Sequence, residues 1–238
     1  MFLQGLLLIR TFGIGILTAL VFVACALQAS QNSQHWTTDS VLEKMDKSAA
    51  DFRSLTADIE HIKYTEVVKD TSTETGQIFV RRDQKMRIEF TKPDPRTILR
   101  TGDSLFVFTP KINRVEEYNL GKNRSLVDQY VLLGFGTKSQ NLRRSYEVNL
   151  TGEEEIEHRK ALLLDLTPKS EEVRKQITKI QMWIDPSSWL PIQQKFFEAG
   201  SGDYFLFRYT NTMKNLKIGD GKFKQDWPKN ANRVKPRS

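Results

Sequence analysis

The chain contains a single cysteine, Cys25, and only three histidines, His35, His61 and His158. None of these histidines has a metal-ligating partner at the spacing that metal sites use. The sequence also lacks a G-x-S-x-G nucleophile elbow and a glycine-rich phosphate loop. We therefore predict no catalytic residue, no metal ligand and no cofactor, and a protein that is not an enzyme.

Residues 1–29 differ in character from the rest of the chain. Arg10 precedes an almost uninterrupted apolar run over residues 11–24, which ends in small residues. This pattern is typical of a secretory signal peptide, and the run is short for a membrane span. We expect cleavage near residues 26–29, which leaves residues 30–238 as a single exported domain.

Cys25 is lost with the signal peptide if cleavage follows Ala26 or Ala29. The exported domain then has no cysteine and no disulfide, which its size tolerates. Residues 22–25 also faintly resemble a bacterial lipoprotein signal, in which the cysteine is lipidated, although Phe22 stands where that motif usually has leucine. We expect the form without a lipid, and lipid anchoring at Cys25 is the alternative.

The positive charge is concentrated at the C-terminus. The chain has a formal net charge of +7, and residues 212–238 contain eight lysines or arginines against only Asp220 and Asp226. Such a tail is either solvated or attracted to an anionic surface. For an exported protein this surface is a membrane, so we predict no nucleic-acid partner.

Residues 76–90 carry the clearest structural pattern. Apolar residues alternate with charged ones on both sides of the polar trio Arg82, Asp83 and Gln84, which indicates two half-buried strands joined by a tight turn. Arg82 shares the parity of the apolar residues. Because an unpaired charge on that face is costly, we expect Arg82 to bind hydrogen-bond acceptors or to lie at the mouth of a cavity.

The rest of the chain is predicted to form two short helices and a wide sheet. A capping box that begins at Ser40 predicts a first helix over residues 40–52, and spacings of three and four predict a second over residues 126–133 that stops at Gly134. A polar loop is expected over residues 69–75. Further strands are predicted at residues 54–68, 97–101, 104–108, 113–120, 146–151, 161–166, 177–185, 190–197 and 204–210.

About ten strands joined by short turns predict one antiparallel sheet, which at this width either curls or splits. The apolar faces of the helices are best buried on the concave side of a curled sheet. Outside the signal segment the chain retains eleven phenylalanines, four tryptophans and six tyrosines. These aromatic residues either pack against one another or surround a cavity that holds an apolar ligand.

Several short motifs, in order, resemble the LolA family of periplasmic lipoprotein carriers, within the LolA/LolB-like group of lipid-binding half-barrels. Residues 76–82, GQIFVRR, resemble the family's G-x-[LI]-[WF]-V-[KR]-R-P, with Asp83 in place of the proline. Residues 102–110, GDSLFVFTP, resemble its dG..lw.Y.P segment. The remaining motifs are Phe52-x-Ser54-Leu55, residues 86–89, Pro93 and Pro95, Val115-x-x-Tyr118, residues 163–168, Trp183-x-Asp185, Phe223 and Trp227-Pro228.

The resemblance, which spans about residues 40–235, implies an open, curled antiparallel β half-barrel with a helical lid over an apolar cavity. It implies a monomeric periplasmic carrier that binds the acyl chains of lipoproteins and shuttles them from the inner to the outer membrane. The implied partners are an inner-membrane lipoprotein release complex and an outer-membrane acceptor. The family's latch arginine matches Arg82, which in the family hydrogen-bonds lid carbonyls in the empty state. A carboxylate at Asp83 would compete for that guanidinium.

Eight apolar residues on the expected inner face are predicted to line the acyl-chain cavity: Ile78, Val80, Met86, Ile88, Phe90, Ile180, Met182 and Ile184. Two alternatives remain within the same group. One is a membrane-anchored receptor of the LolB type, which requires a lipidated Cys25, and the other is an envelope protein that binds glycolipid or another lipid. A domain that senses envelope lipid is a third possibility from a different functional class.

Overall fold

The computed structural model describes residues 35–121 and 133–236. The first described helix, α1, spans Thr38–Ala50. Its capping box is formed by Thr37 and Ser40, since the Ser40 amide donates to Thr37 Oγ1 at 3.2 Å and the Thr37 amide donates to Ser40 Oγ at 2.9 Å. The helix was correctly predicted, but its start at Ser40 was wrong. Both residues carry a short hydroxyl side chain, so the local pattern fits either start.

Twelve strands form a single sheet. Their bounds are β1 Ser54–Thr65, β2 Asp70–Arg81, β3 Lys85–Lys92, β4 Arg96–Thr101, β5 Ser104–Thr109, β6 Arg114–Asn119, β7 Tyr146–Ile156, β8 Arg159–Pro168, β9 Ile177–Ile184, β10 Pro191–Glu198, β11 Tyr204–Lys214 and β12 Asn232–Val234. The spatial order is β12-β6-β5-β4-β3-β2-β1-β11-β10-β9-β8-β7. All neighbouring pairs are antiparallel except β12 with β6, which is parallel.

The sheet is open and curled, as the resemblance implied. Two further short helices are described, α2 at Ser139–Ser145 and α3 at Glu171–Arg174. None of the helices in the described ranges is long and apolar enough to cross a bilayer.

The concave face carries two apolar clusters. In the first, Val41, Leu42 and Met45 of α1 pack with buried residues of β7 to β10. The second lies over β1 to β3, where the even-numbered residues of β2 and β3 point inward. Helix α1 therefore covers one half of the concave face and leaves much of the other half to a cleft.

The convex face of β2 to β6 is covered by residues 215–231, here called the C-terminal segment. Phe223, Trp227 and Ala231 are buried there in one cluster with Leu99, Phe106 and Val115 of the sheet. Arg87, whose side chain is only 4% exposed, binds Asp226 at 2.6 Å. After this segment, β12 pairs with β6 and covers that edge of the sheet.

Two basic residues of this tail have partners on the rest of the fold. Lys222 binds Glu89 at 2.7 Å, and Lys214 donates to the Ser48 carbonyl at 2.9 Å. Exposed basic residues remain at Lys217, Lys224, Lys229, Arg233 and Lys235. Burying the aromatic side chains of Phe223 and Trp227 fixes the backbone that carries Lys222.

One other prediction is corrected, and one helix was not predicted. The polar loop over residues 69–75 is absent, since β2 begins at Asp70 and pairs with Thr65. Residues 70–73 are exposed, so the alternation that marks a half-buried strand does not appear in them. Helix α2 was not predicted, because of its seven residues only Leu142 is buried.

Three regions lie outside the described residues: 1–34, 122–132 and 237–238. They include the predicted signal peptide, Cys25 and almost all of the predicted helix over residues 126–133.

Candidate functional site

The cleft on the concave face contains an apolar cavity of about 260 Å³. Six neighbouring strands, from β11 through β1 to β5, contribute side chains to it. The lining residues are Ile59, His61, Ile78, Met86, Ile88, Phe90, Arg96, Ile98, Leu105, Val107, Phe207 and Tyr209. The floor of the cavity is aliphatic and aromatic, and its charged side chain, Arg96, lies at one end. Such a surface suits an acyl chain.

Five of the eight predicted lining residues lie in this half of the concave face. Ile78, Met86, Ile88 and Phe90 line the cavity, and Val80 lies beside it in a second cleft of about 600 Å³. All five belong to one apolar cluster with Leu55 and Tyr209. Their shared parity on β2 and β3 explains why sequence reasoning grouped them.

The other three predicted lining residues do not reach the cavity. Ile180, Met182 and Ile184 are 0% exposed and lie in the cluster covered by α1. They lie on the same concave face, but residues of α1 and Leu133 pack over their cluster.

Sequence reasoning missed the contribution of β11. Phe207 and Tyr209 line the cavity because β11 pairs with β1, with Tyr209 opposite Ile59. Their shared parity is visible in the sequence. The pairing of two strands more than 140 residues apart is not visible there, so nothing in the local pattern assigned these side chains to the cavity.

Arg82 lies in the turn between β2 and β3, next to the end of α1. Its amide donates to the Arg53 carbonyl at 2.8 Å. Its guanidinium Nη1 donates to the carbonyls of Ala50 at 3.3 Å and Phe52 at 3.4 Å. The side chain is exposed and lines the rim of the larger cleft, so its contacts with the helix end are accessible to solvent.

Asp83 does not bind Arg82. Its carboxylate accepts from Nε and Nη2 of Arg81, each at 2.7 Å, and lies 3.3 Å from Nζ of Lys85. The hydrogen bonds from Arg81 hold the pKa of Asp83 at about 2, well below its ordinary value. The expected competition for the Arg82 guanidinium therefore does not occur, because Arg81, of opposite parity, takes the carboxylate.

Residues 133–136, here called the crossing segment, lie on the concave face between the two clusters. Gln194 Nε2 donates to the Leu133 carbonyl at 2.5 Å, and the Tyr209 hydroxyl donates to Gln194 Oε1 at 2.8 Å. Burial raises the pKa of Tyr209, so the hydroxyl remains a donor. Phe135 packs edge-on against Tyr209, with 4.9 Å between ring centroids.

The two glycines of the crossing segment allow this close approach. Gly134 has φ of +82°, and a Cβ there would lie 2.8 Å from Met182 Sδ. Gly136 has φ of +68°, and a Cβ there would lie 2.7 Å from the ring of Phe52. Both glycines are therefore required by the close packing of the concave face.

The opposite end of the cavity from Arg82 carries a polar group of three residues. Glu74 accepts from Arg96 Nη2 at 2.7 Å, and its Oε2 lies 2.9 Å from Nδ1 of His61. Within the described ranges, no group of three or more His, Cys, Asp or Glu side chains lies close enough together to hold a metal ion.

A family model described as that of an uncharacterized protein matches residues 82–224, which is more than half of the chain. No curated protein matches the sequence. Among solved structures, an uncharacterized conserved protein from Thermus thermophilus superposes with a TM-score of 0.54 and 11% identity, over 83% of this chain and 98% of that one.

MucB superposes with a TM-score of 0.50 and 13% identity, over 79% of this chain and 62% of MucB. A LolA superfamily protein from Nitrosomonas europaea superposes with a TM-score of 0.42 and 17% identity, over 81% of this chain and 99% of that one. The architecture of the chain described above is the LolA-like half-barrel.

Proposed function

The chain belongs to the uncharacterized family matched over residues 82–224 and has the LolA-like fold, and from this premise we propose that it is a lipid-binding carrier of the cell envelope. Its cargo in this proposal is the acyl chains of lipoproteins, which it receives at the inner membrane and delivers to the outer membrane. The observation that carries the proposal is the apolar cavity of about 260 Å³ on the concave face.

A carrier needs such a cavity because an acyl chain exposed to water has a high free-energy cost. Exposing an acyl chain of about fourteen methylenes to water costs about 11 kcal/mol, at roughly 0.8 kcal/mol for each methylene. A carrier must shield the chain during transit and still release it. A covering element that opens at low cost meets both demands, because the cost of opening is subtracted from the affinity.

We assign the covering role to α1. If α1 and the crossing segment, which lies between the two clusters, both move, Ile180, Met182 and Ile184 join the five residues of the other cluster, and all eight predicted residues face one larger apolar surface. Polar contacts hold the helix in place, among them the Lys214 bond to the Ser48 carbonyl at 2.9 Å and the Asp46 bond to the Ser139 amide at 2.6 Å. Arg82 adds the contacts at the end of the helix.

Export to the periplasm, a monomeric state, and the release complex and acceptor as partners all follow from the resemblance and remain part of the proposal. Native mass spectrometry of the protein purified from the periplasm tests it. We expect a bound acylated molecule, which organic extraction then removes. The mass of the chain also reports whether Cys25 is retained and lipidated, which would favour a LolB-type receptor over a soluble carrier.

The control is the same protein after extraction, incubated with the uncharged apolar fluorophore N-phenyl-1-naphthylamine. A carrier with an emptied cavity should bind it and enhance its fluorescence. If no acylated molecule accompanies the purified protein and the extracted protein does not bind the fluorophore, the proposal is wrong.

Arg82→Leu should increase the affinity for an acyl ligand about three- to tenfold and slow its transfer to acceptor vesicles. Arg82 donates two long hydrogen bonds to carbonyls at the end of α1, and a hydrogen bond of this kind contributes about 1 kcal/mol or less. Removing them lowers the cost of opening without removing apolar contacts. Fluorescence titration and a vesicle transfer assay measure the two effects.

Arg53→Leu is the matched control for this variant. Arg53 is an exposed arginine in the same connection between α1 and β1, and its backbone makes the local hydrogen bonds. The Arg53→Leu variant should have the affinity and the transfer rate of the wild type. Wild-type affinity and wild-type transfer in Arg82→Leu would show that Arg82 is not a latch.

A further inference from the structure

Three ionisable side chains meet at the end of the cavity farthest from Arg82. His61 on β1 pairs with Glu74 on β2, and Arg96 begins β4, whereas Arg82 follows the opposite end of β2. The carboxylate of Glu74 bridges the other two. The three side chains are 20–33% exposed, so all of them are partly shielded from water.

Arg96 retains unused hydrogen-bond donors. A guanidinium has five N–H donors. Within the described part of the chain, the hydrogen bond that Arg96 donates goes from Nη2 to Glu74. Its Nε is buried and has no hydrogen-bond partner among the described residues. A shielded donor without a partner carries a free-energy cost, so this group is incomplete as a purely structural ion pair.

Arg96 also forms part of the cavity wall. Its guanidinium carbon lies 5.1 Å from the centroid of the Phe90 ring, and His61 stacks on Phe207 with 4.8 Å between centroids. All four side chains line the cavity. A permanent cation with unused donors therefore borders an apolar surface, at the place where one end of a bound chain would lie.

We infer that the cavity accepts acyl chains that carry an anionic head, a carboxylate or a phosphate, and that Arg96 binds this head. The inference rests on the proposed function and extends its ligands to anionic single-chain lipids. Carboxylate and phosphate oxygens match the planar fork of guanidinium donors. Glu74 orients Arg96 and balances its charge when the head is absent. When the head is bound to Arg96, the acyl chain lies over Ile88 and Ile98.

The test compares three ligands with the same twelve-carbon chain: dodecanoic acid, dodecyl phosphate and dodecan-1-ol. Each displaces N-phenyl-1-naphthylamine from the full exported domain at a pH of about 8, where both acids are ionised. We expect at least one of the two anions to bind about tenfold more tightly than the alcohol, because a charge-assisted hydrogen bond is stronger than a neutral one. Preference for either anion supports the inference and identifies the head.

Arg96→Gln removes the charge and retains most of the side-chain length. It should reduce the affinity for the anions to that for the alcohol and leave the alcohol's affinity within about twofold of wild type. Lys92→Gln is the control, since Lys92 is an exposed lysine at the same end of the sheet. This variant should keep the preference for anions, whereas a non-specific charge effect would reduce it.

The outcomes separate this inference from the proposed function. If the wild-type protein binds acid, phosphate and alcohol equally, or if Arg96→Gln retains the preference, the inference is wrong and the carrier function stands. If the fluorophore binds but none of the three ligands displaces it, the inference is wrong. If the extracted protein does not bind the fluorophore and no acylated molecule accompanies the purified protein, the carrier function itself is wrong, and the inference fails with it.

Discussion

Val107→Asp should weaken the binding of an acyl ligand about 100-fold or more. Val107 is half-buried and lines the apolar cavity, and its directly opposite cross-strand neighbours are Ile98 and Glu116. The cation on the same cavity wall, Arg96, is already paired with Glu74. The new carboxylate is hydrated while the cavity is empty, and a bound chain removes that hydration. An uncompensated buried charge costs several kcal/mol, and each 1.4 kcal/mol corresponds to tenfold in affinity.

Fluorescence titration with N-phenyl-1-naphthylamine measures this loss, and circular dichroism with thermal unfolding shows whether the fold is retained. Val107→Thr has nearly the same shape and no charge, so it should lose about tenfold at most. Val67→Asp introduces the same carboxylate in the β1–β2 turn, where Val67 is 87% exposed, and should bind like wild type. A folded Val107→Asp protein with wild-type affinity would place the ligand outside this cavity.

Gly76→Ala should destabilise the protein by about 4 kcal/mol or more, which places it among the most damaging single substitutions. A Cβ on Gly76 would lie 2.0 Å from the Glu89 carbonyl oxygen and 2.7 Å from the Phe90 Cα. Both atoms belong to the backbone of β3, so no side chain can move to make room. Strands β2 and β3 would have to separate at the register shift between Thr75 and Gly76.

Chemical denaturation with urea measures this change in the free energy of unfolding. Gly152→Ala is the matched control, since Gly152 also follows a register shift within a strand and nothing lies within 4 Å of its added Cβ. That variant should be neutral or more stable by about 0.4–1 kcal/mol, because alanine lowers the entropy of the unfolded chain. If both alanine variants have the same stability, close approach of β3 does not explain the glycine at position 76.

The contrast between the two glycines shows where sequence reasoning stops. Both stand in strands and look alike in the sequence. One is required because a partner strand passes against its Cα, and the other is not. The difference is that a backbone carbonyl lies close to Gly76, and the sequence shows only a glycine at this position and not the contact.

The predictions for the cavity-lining residues show the same limit of sequence reasoning. Alternation along β2 and β3 placed Ile78, Met86, Ile88 and Phe90 on one face, and the structure groups them around the cavity. The same reasoning placed Ile180, Met182 and Ile184 together. It did not show that α1 covers them, because the contact between a helix and a distant strand has no local periodicity.

Arg82 and Arg81 show that this limit can separate two neighbouring residues, since the contacts of one were predicted and those of the other were not. Parity directed attention to Arg82, and the structure places its guanidinium against the carbonyls of Ala50 and Phe52. The ionic contacts of Arg81 with Asp83 and Asp220 were not expected. Asp220 lies 139 residues away in the C-terminal segment, so tertiary packing alone made it a partner of Arg81.

The sequence by itself determined most of the strands, the presence of the first helix, a predominantly antiparallel sheet and the inward face of β2 and β3. Periods of two and of three to four are local properties, and short segments of the chain carry them completely. Only the tertiary structure decided that β11 completes the cavity, that α1 covers half of the concave face, and that the C-terminal segment covers the convex face. These arrangements depend on contacts between residues far apart in the chain, and the energy of such contacts is gained only when the whole sheet has formed.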